Sequence, residues 1–166
     1  ILIYGHGLMG DSEQVASGSQ RAAAAAICVV VVGTDMRGMS TKDIGAIASA
    51  LTNLDNAGAV FEVLVQGLIN HVALVRVAQG AMAERLFVDD PDGPGGEPRS
   101  LVDPTKVYYY GLSQGAIFGT SVIAYDPEIR RGVVGAGGGN YSMMLERSTD
   151  WPQYRDILIG AYPDNL

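Results

Sequence analysis

The chain has 166 residues, 48% of them hydrophobic and 17% charged, which excludes a disordered composition and suits one globular domain with a sizeable core. Its 11 basic and 18 acidic residues leave a formal charge of -7 with no Lys/Arg-rich run, which excludes the basic footprint that nucleic-acid phosphates or an anionic membrane surface require. The single cysteine, Cys28, excludes an internal disulfide and a thiolate-built metal site, and its apolar setting, AAAAAICVVVV, predicts a buried small hydrophobe.

Residues 1–4, ILIY, form a short apolar run stopped by glycines and predict a buried strand. Residues 11–26 turn from polar to alanine-rich and predict a loop followed by a helix. Residues 27–32 are apolar at every position, without polar alternation, and predict a central parallel strand covered on both faces. GTDMRGMST, residues 33–41, breaks the pattern; residues 42–51 predict a short helix and 57–80 a long one with apolar residues at mostly helical spacing. The apolar stretch 22–32 is too short to cross a bilayer, so no membrane span is expected.

DDPDGPGGEPRS, residues 89–100, concentrates proline, glycine and acid and predicts an exposed loop. Asp89, Asp90 and Asp92 lack the rest of a calcium-loop ligand series, so they read as solvated carboxylates and no metal is expected. Residues 106–110 predict a third strand, 114–125 a helix ended by Asp126 and Pro127, and 131–136 a fourth strand. Strands and helices thus alternate, predicting an α/β fold with a mostly parallel sheet and helices on both faces. The chain opens inside a strand-like run and stops just after a helix-like one, and it is expected to be a single domain, 1–166, incomplete at both ends.

Two glycine patterns carry candidate chemistry. Gly5, Gly7 and Gly10 spell G-x-G-x-x-G, which with Asp35 after the second strand would suit a dinucleotide pyrophosphate and its ribose. Against that use, Asp11, Ser12, Ser17 and Gly18 make a poor start for the apolar helix such a loop needs. Gly111, Ser113 and Gly115 spell G-x-S-x-G between a predicted strand and a predicted helix, the context in which a serine is lifted above a sheet edge on a sharp turn. The flanking positions must be small because the strand and helix nearly touch, and the helix N-terminus, with the Gln114 amide, points at an oxyanion formed by attack of Ser113.

The order of YGHGLMG, GTDMRGMS, VYYYGLSQG and GVVGAGGGNYSMML resembles the central portion of a bacterial α/β-hydrolase of the serine esterase and lipase kind. The resemblance implies that the four strands are the third to sixth of that family's sheet, in spatial order fourth, third, fifth, sixth. It implies carboxylic-ester hydrolysis through an acyl-enzyme on Ser113, a small-molecule ester as partner, and no cofactor. His6 and Gly7 then match the family's oxyanion loop, making the Leu8 amide the second donor beside Gln114 and giving His6 the task of shaping the turn. Met9, Tyr141 and Met143 become candidate lining of the substrate pocket, next to Gly137, Gly138 and Gly139.

A serine hydroxyl needs a positioned base, normally a histidine held by a carboxylate. The chain has two histidines, and both precede Ser113, whereas the family order is serine, acid, histidine. His71, mid-helix among apolar neighbours, predicts a structural role; Glu146 and Asp150 predict surface positions, the former in a charged pair with Arg147. The acid and base are therefore expected beyond Leu166, and the 166 residues alone are expected to turn over little ester. Asp35 and Ser40 predict a structural turn, and Tyr108, Tyr109 and Tyr110 predict sheet packing.

Overall fold

In the computed structural model, which describes residues 1–163, the apolar runs become a four-stranded parallel sheet with helices on both faces. Strand β1 (Leu2–Gly5) leads through a 3-10 turn, Ser12–Ala16, to helix α1 (Gly18–Ala26) and strand β2 (Val31–Gly33). A second 3-10 turn, Thr41–Asp43, opens α2 (Ile44–Thr52), and α3 (Gly58–Val77) continues through a π turn at Ala78–Met82. Strands β3 (Phe87–Val88) and β4 (Arg99–Ser100) form a minimal antiparallel hairpin closing the proline-glycine loop that the sequence leaves unpaired, braced by an Arg99 to Asp90 ion pair of 2.6 Å. Then come β5 (Val107–Leu112), α4 (Gln114–Tyr125), β6 (Ile129–Gly135), α5 (Tyr141–Leu145) and α6 (Trp151–Ala161).

The sheet order is β2-β1-β5-β6, the spatial order expected, with Leu2 to Gly5 in register with Tyr108 to Gly111. Alternation along the strands separates two faces. Ile3, Val107 and Tyr109 point to the face covered by α3 and α4 and share the core with Val75, Val122 and Ile129. Leu2, Tyr108 and Tyr110 point to the other face, where α1 leaves an apolar cleft of about 590 Å³ against the sheet. Tyr109 is 1% exposed, whereas Tyr4 and Tyr110 stack obliquely on the α1 side with centroids 5.9 Å apart.

The second strand departs from expectation. Only Val31–Gly33 pair, along the edge of the sheet and half-buried, because the front of the apolar run ends α1 instead. Cys28 takes the left-handed conformation, φ 53°, and its amide and that of Val29 return to the carbonyls of Ala25 and Ala24, the closure by which helices commonly stop. Ile27 is therefore 63% exposed, and Cys28 is exposed rather than buried. A different run, Leu54–Met82, is long and apolar enough by length and composition to cross a membrane, with hydropathy 1.6. In this fold its Val60, Gly67, His71 and Val75 form a buried stripe, and α3 packs on α2 and α4.

Helix α4 lies directly on β1 and β5. A Cβ on Gly115 would strike the Gly5 carbonyl and come within 2.9 Å of the His6 carbonyl oxygen, while one on Gly111 would strike the Gly115 carbonyl. Because the opposing atoms are backbone, they cannot swing aside. Gly115→Ala is expected to cost about 3 kcal/mol, the upper range for overpacking, whereas Gly160→Ala, open on the α6 surface, should gain about 0.5 kcal/mol from helix propensity. Urea unfolding of the two variants checks the contrast.

Candidate active site

Ser113 joins β5 to α4 at φ 52° and ψ -119°, a backbone region that costs a non-glycine residue about 1–3 kcal/mol. The strain is held from both sides. The Ser113 amide donates to the Gly135 carbonyl at 3.0 Å, and its carbonyl accepts from the amides of Ala116 and Ile117 at 2.9 and 3.1 Å. Gln114, Gly115 and Ala116 are buried behind it, yet Ser113 itself is exposed at the C-terminal edge of the sheet. This is the turn anticipated from G-x-S-x-G.

The GHGLMG loop sits beside it, because Gly115 rests on the carbonyls of Gly5 and His6. His6 is fully buried, and its Nε2 accepts the Met36 amide hydrogen at 2.8 Å, so the ring proton resides on Nδ1 and is donated to the Gly7 carbonyl at 2.8 Å. The Gly7 carbonyl also accepts from the Gly10 amide, closing a tight turn in which Met9 is left-handed at φ 54°. Met9 and Gly10 pair with Met39 and Thr41 across the β2 loop. Among the described residues, neither the Leu8 nor the Gln114 amide is used in a hydrogen bond. Two unspent donors thus flank the junction of the two loops.

GTDMRGMS fastens this loop from behind. Asp35 accepts the Ser12 amide at 2.8 Å and pairs with Lys42 at 2.6 Å. Asp43 accepts from the amides of Gly38 and Ser40 at 2.7 and 3.0 Å, from the Ser40 hydroxyl at 2.5 Å and from Arg37 at 3.0 Å. Burial pushes both carboxyls up, but these hydrogen bonds more than offset it: Asp43 falls below its usual range and Asp35 falls to about 2. Asp43 escaped the sequence reading, although Ser40-x-x-Asp43 has the spacing of a helix-capping pair.

These contacts also bear on the dinucleotide pattern. The three glycines lead into a 3-10 turn, α1 begins only at Gly18, and both Asp35 oxygens are engaged. The loop therefore offers a pyrophosphate no adjoining α-helix N-terminus, and both Asp35 oxygens already hold partners within the chain.

In front of Ser113 lies a cavity of about 500 Å³, walled by Ile117, by Ala136 and Gly139 after β6, and by Met143, Met144 and residues 147–149 around α5. Of the three lining candidates, Met143 is there; Met9 and Tyr141 lie outside the wall. Tyr141 instead donates its hydroxyl to Gln114 Oε1 at 3.1 Å and braces α5 against the elbow, and burial raises its pKa, keeping it a neutral donor.

Neither histidine serves Ser113. Both His6 nitrogens are spent, and His71, buried in α3 with its pKa lowered by burial, donates Nδ1–H to the Gly67 carbonyl at 2.9 Å. Its Nε2 has no hydrogen-bond partner among the described residues, so the predicted structural histidine is only half satisfied. Glu146 and Asp150 are exposed, and the expected Glu146–Arg147 pair does not form among the described residues.

No family model, curated protein or solved structure matches the chain.

The Asp35 anchor predicts a pH signature. Its folded pKa of about 2 lies below the unfolded value, so its stabilisation is present above the unfolded pKa and is lost as pH falls through the folded one. Asp35→Asn is expected to cost about 2 kcal/mol at neutral pH by the pKa difference. The gap from the parent protein should close as the pH is lowered from about 4 towards 2, read by urea unfolding at each pH.

Proposed function

We propose that the protein is a serine hydrolase of carboxylic esters, with Ser113 as nucleophile and the Leu8 and Gln114 amides as oxyanion donors. The observation that carries this proposal is the backbone of Ser113, strained at φ 52° and ψ -119°, exposed over a cavity and followed at once by a helix N-terminus. Strain of this kind persists where the surrounding structure enforces it and commonly marks a site of chemistry.

Ser113 Oγ attacks the acyl carbon, and the carbonyl π electrons move to oxygen, where the two amides receive the negative charge. Collapse of that intermediate breaks the bond to the alcohol, which leaves with a proton and yields the acyl-enzyme. Water then attacks the same carbon and releases the acid and the serine. The Oγ proton must pass to a base and from it to the alcohol. With His6 spent and His71 buried in α3, ester cleavage requires a base other than these two.

In the full-length protein a fluorophosphonate probe should form one adduct, mapped by peptide mass to Ser113 and absent from Ser113→Ala. Ser113→Gly should likewise lose the adduct while gaining about 1 kcal/mol of stability, because glycine accepts the positive φ without strain. Folded full-length protein that shows no adduct at Ser113 would overturn the proposal.

A further inference from the structure

The cavity before Ser113 is chemically divided. Ile117, Ala136, Met143 and Met144 provide apolar lining, and Arg147, Ser148 and Thr149 provide polar lining. Among the described residues, Arg147 is the one charged residue lining it. In a chain of net charge -7, with the acidic Glu146 next in sequence, Arg147 nevertheless makes no ion pair among the described residues. Arg37, Arg76, Arg99 and Arg155 pair with aspartates, whereas Arg21, Arg85, Arg130 and Arg131, like Arg147, make no ion pair among the described residues. What distinguishes Arg147 is its place in the wall of the cavity before Ser113.

Local backbone geometry holds this polar side in place. The amides of Arg147 and Ser148 donate to the carbonyls of Met144 and Leu145, carrying the turn of α5 forward. Ser148 Oγ accepts the Asp150 amide at 3.1 Å, which leaves its hydroxyl hydrogen available as a donor in the cavity that Arg147 also lines. The Tyr141 to Gln114 hydrogen bond ties the start of the same helix to the residue after Ser113. The cation and the nucleophile are therefore mounted on two ends of one braced unit.

We propose that the ester cleaved at Ser113 carries a second, ionised carboxylate, and that Arg147 receives it while the methylene portion lies against Met143, Met144 and Ile117. The inference rests on Ser113 being the nucleophile. A guanidinium matches a carboxylate in charge and in planar, two-pronged geometry, and a cavity of about 500 Å³ suits a small organic acid. In an otherwise acidic protein, Arg147 supplies the local attraction that an anionic substrate needs to enter. The carboxylate can belong to the acyl part or to the alcohol.

Both arms are testable on the full-length protein by comparing kcat/KM for charged and neutral partners. On the acyl side the pair is mono-para-nitrophenyl glutarate and the same compound capped as its methyl ester. On the alcohol side it is carboxymethyl butyrate and its methyl ester, followed by butyrate release. One charged member should be preferred by about tenfold, the scale of a charge-assisted hydrogen bond. The preference should fall to about one in Arg147→Gln, survive in part in Arg147→Lys, and shrink in the unmodified protein at about 1 M salt, where screening acts within about 3 Å. The arm that shows the preference identifies which half of the ester carries the charge. Equal cleavage of charged and neutral esters in both arms, or a preference unchanged in Arg147→Gln, overturns the anion assignment and leaves the serine chemistry standing. Cleavage of none of the four esters overturns the serine reading itself, and the anion assignment falls with it.

Discussion

Backbone against backbone, Gly115 on Gly5 and His6, is the contact on which the rest of this structure depends. It allows α4 to approach β1 and β5 closer than any side chain would permit, and the space so defined is filled by one residue. Tyr109 enters from β5, its ring occupying the room that Gly5, Gly111 and Gly119 leave, and its hydroxyl donates to the Gly115 carbonyl at 2.7 Å. Burial raises the pKa of that phenol, so it stays a donor, and an oxygen that would be costly to bury alone is satisfied. Four glycines and a tyrosine therefore act as one unit of packing.

The same contact decides what the loops can do. Once α4 is seated, the elbow and the GHGLMG loop are neighbours, and the question becomes how each keeps a conformation it would not hold alone. Ser113 is held by hydrogen bonds to Gly135, Ala116 and Ile117. The glycine loop is held by His6, whose ring links the Met36 amide to the Gly7 carbonyl, and by Asp35 and Asp43 behind it. Those carboxylates stabilise by accepting fixed N–H and O–H groups, so their worth comes from completed hydrogen bonding more than from their ion pairs. Lys42 and Arg37 are 67% and 40% exposed, where solvent weakens a charge pair.

What could be read in the sequence follows from range. Helix α4 ends where residues 114–125 say, because Asp126 and Pro127 are local stop signals, and the elbow was legible because its strand and helix adjoin it. The end of α1 was not: an unbroken apolar run from 22 to 32 contains no glycine to mark the left-handed stop that Cys28 supplies. The meaning of Gly5, Gly7 and Gly10 was equally hidden. A glycine pattern records that something approaches the backbone closely, and only the fold shows that the groups approaching Gly5 are the Tyr109 phenol and the Gly115 backbone. The role of His6 is set by Met36, 30 residues away, and no periodicity joins the two.

The position of the cavity follows from topology as much as from motifs. From β1 the chain moves outward to β2, then crosses back over α3 to lay β5 on the other side of β1 and continues outward to β6. The order therefore reverses between β1 and β5, and in open parallel sheets the loops leaving the strand ends at such a reversal diverge and leave a crevice. Here those two loops are GHGLMG and GLSQG. The Gly5 to Gly115 contact brings these two loops together, and the cavity in front of Ser113 lies on the side of β6 and α5. Met143 and Arg147 accordingly line the same cavity as Ser113, while Met9, on the β1 side of the reversal, does not.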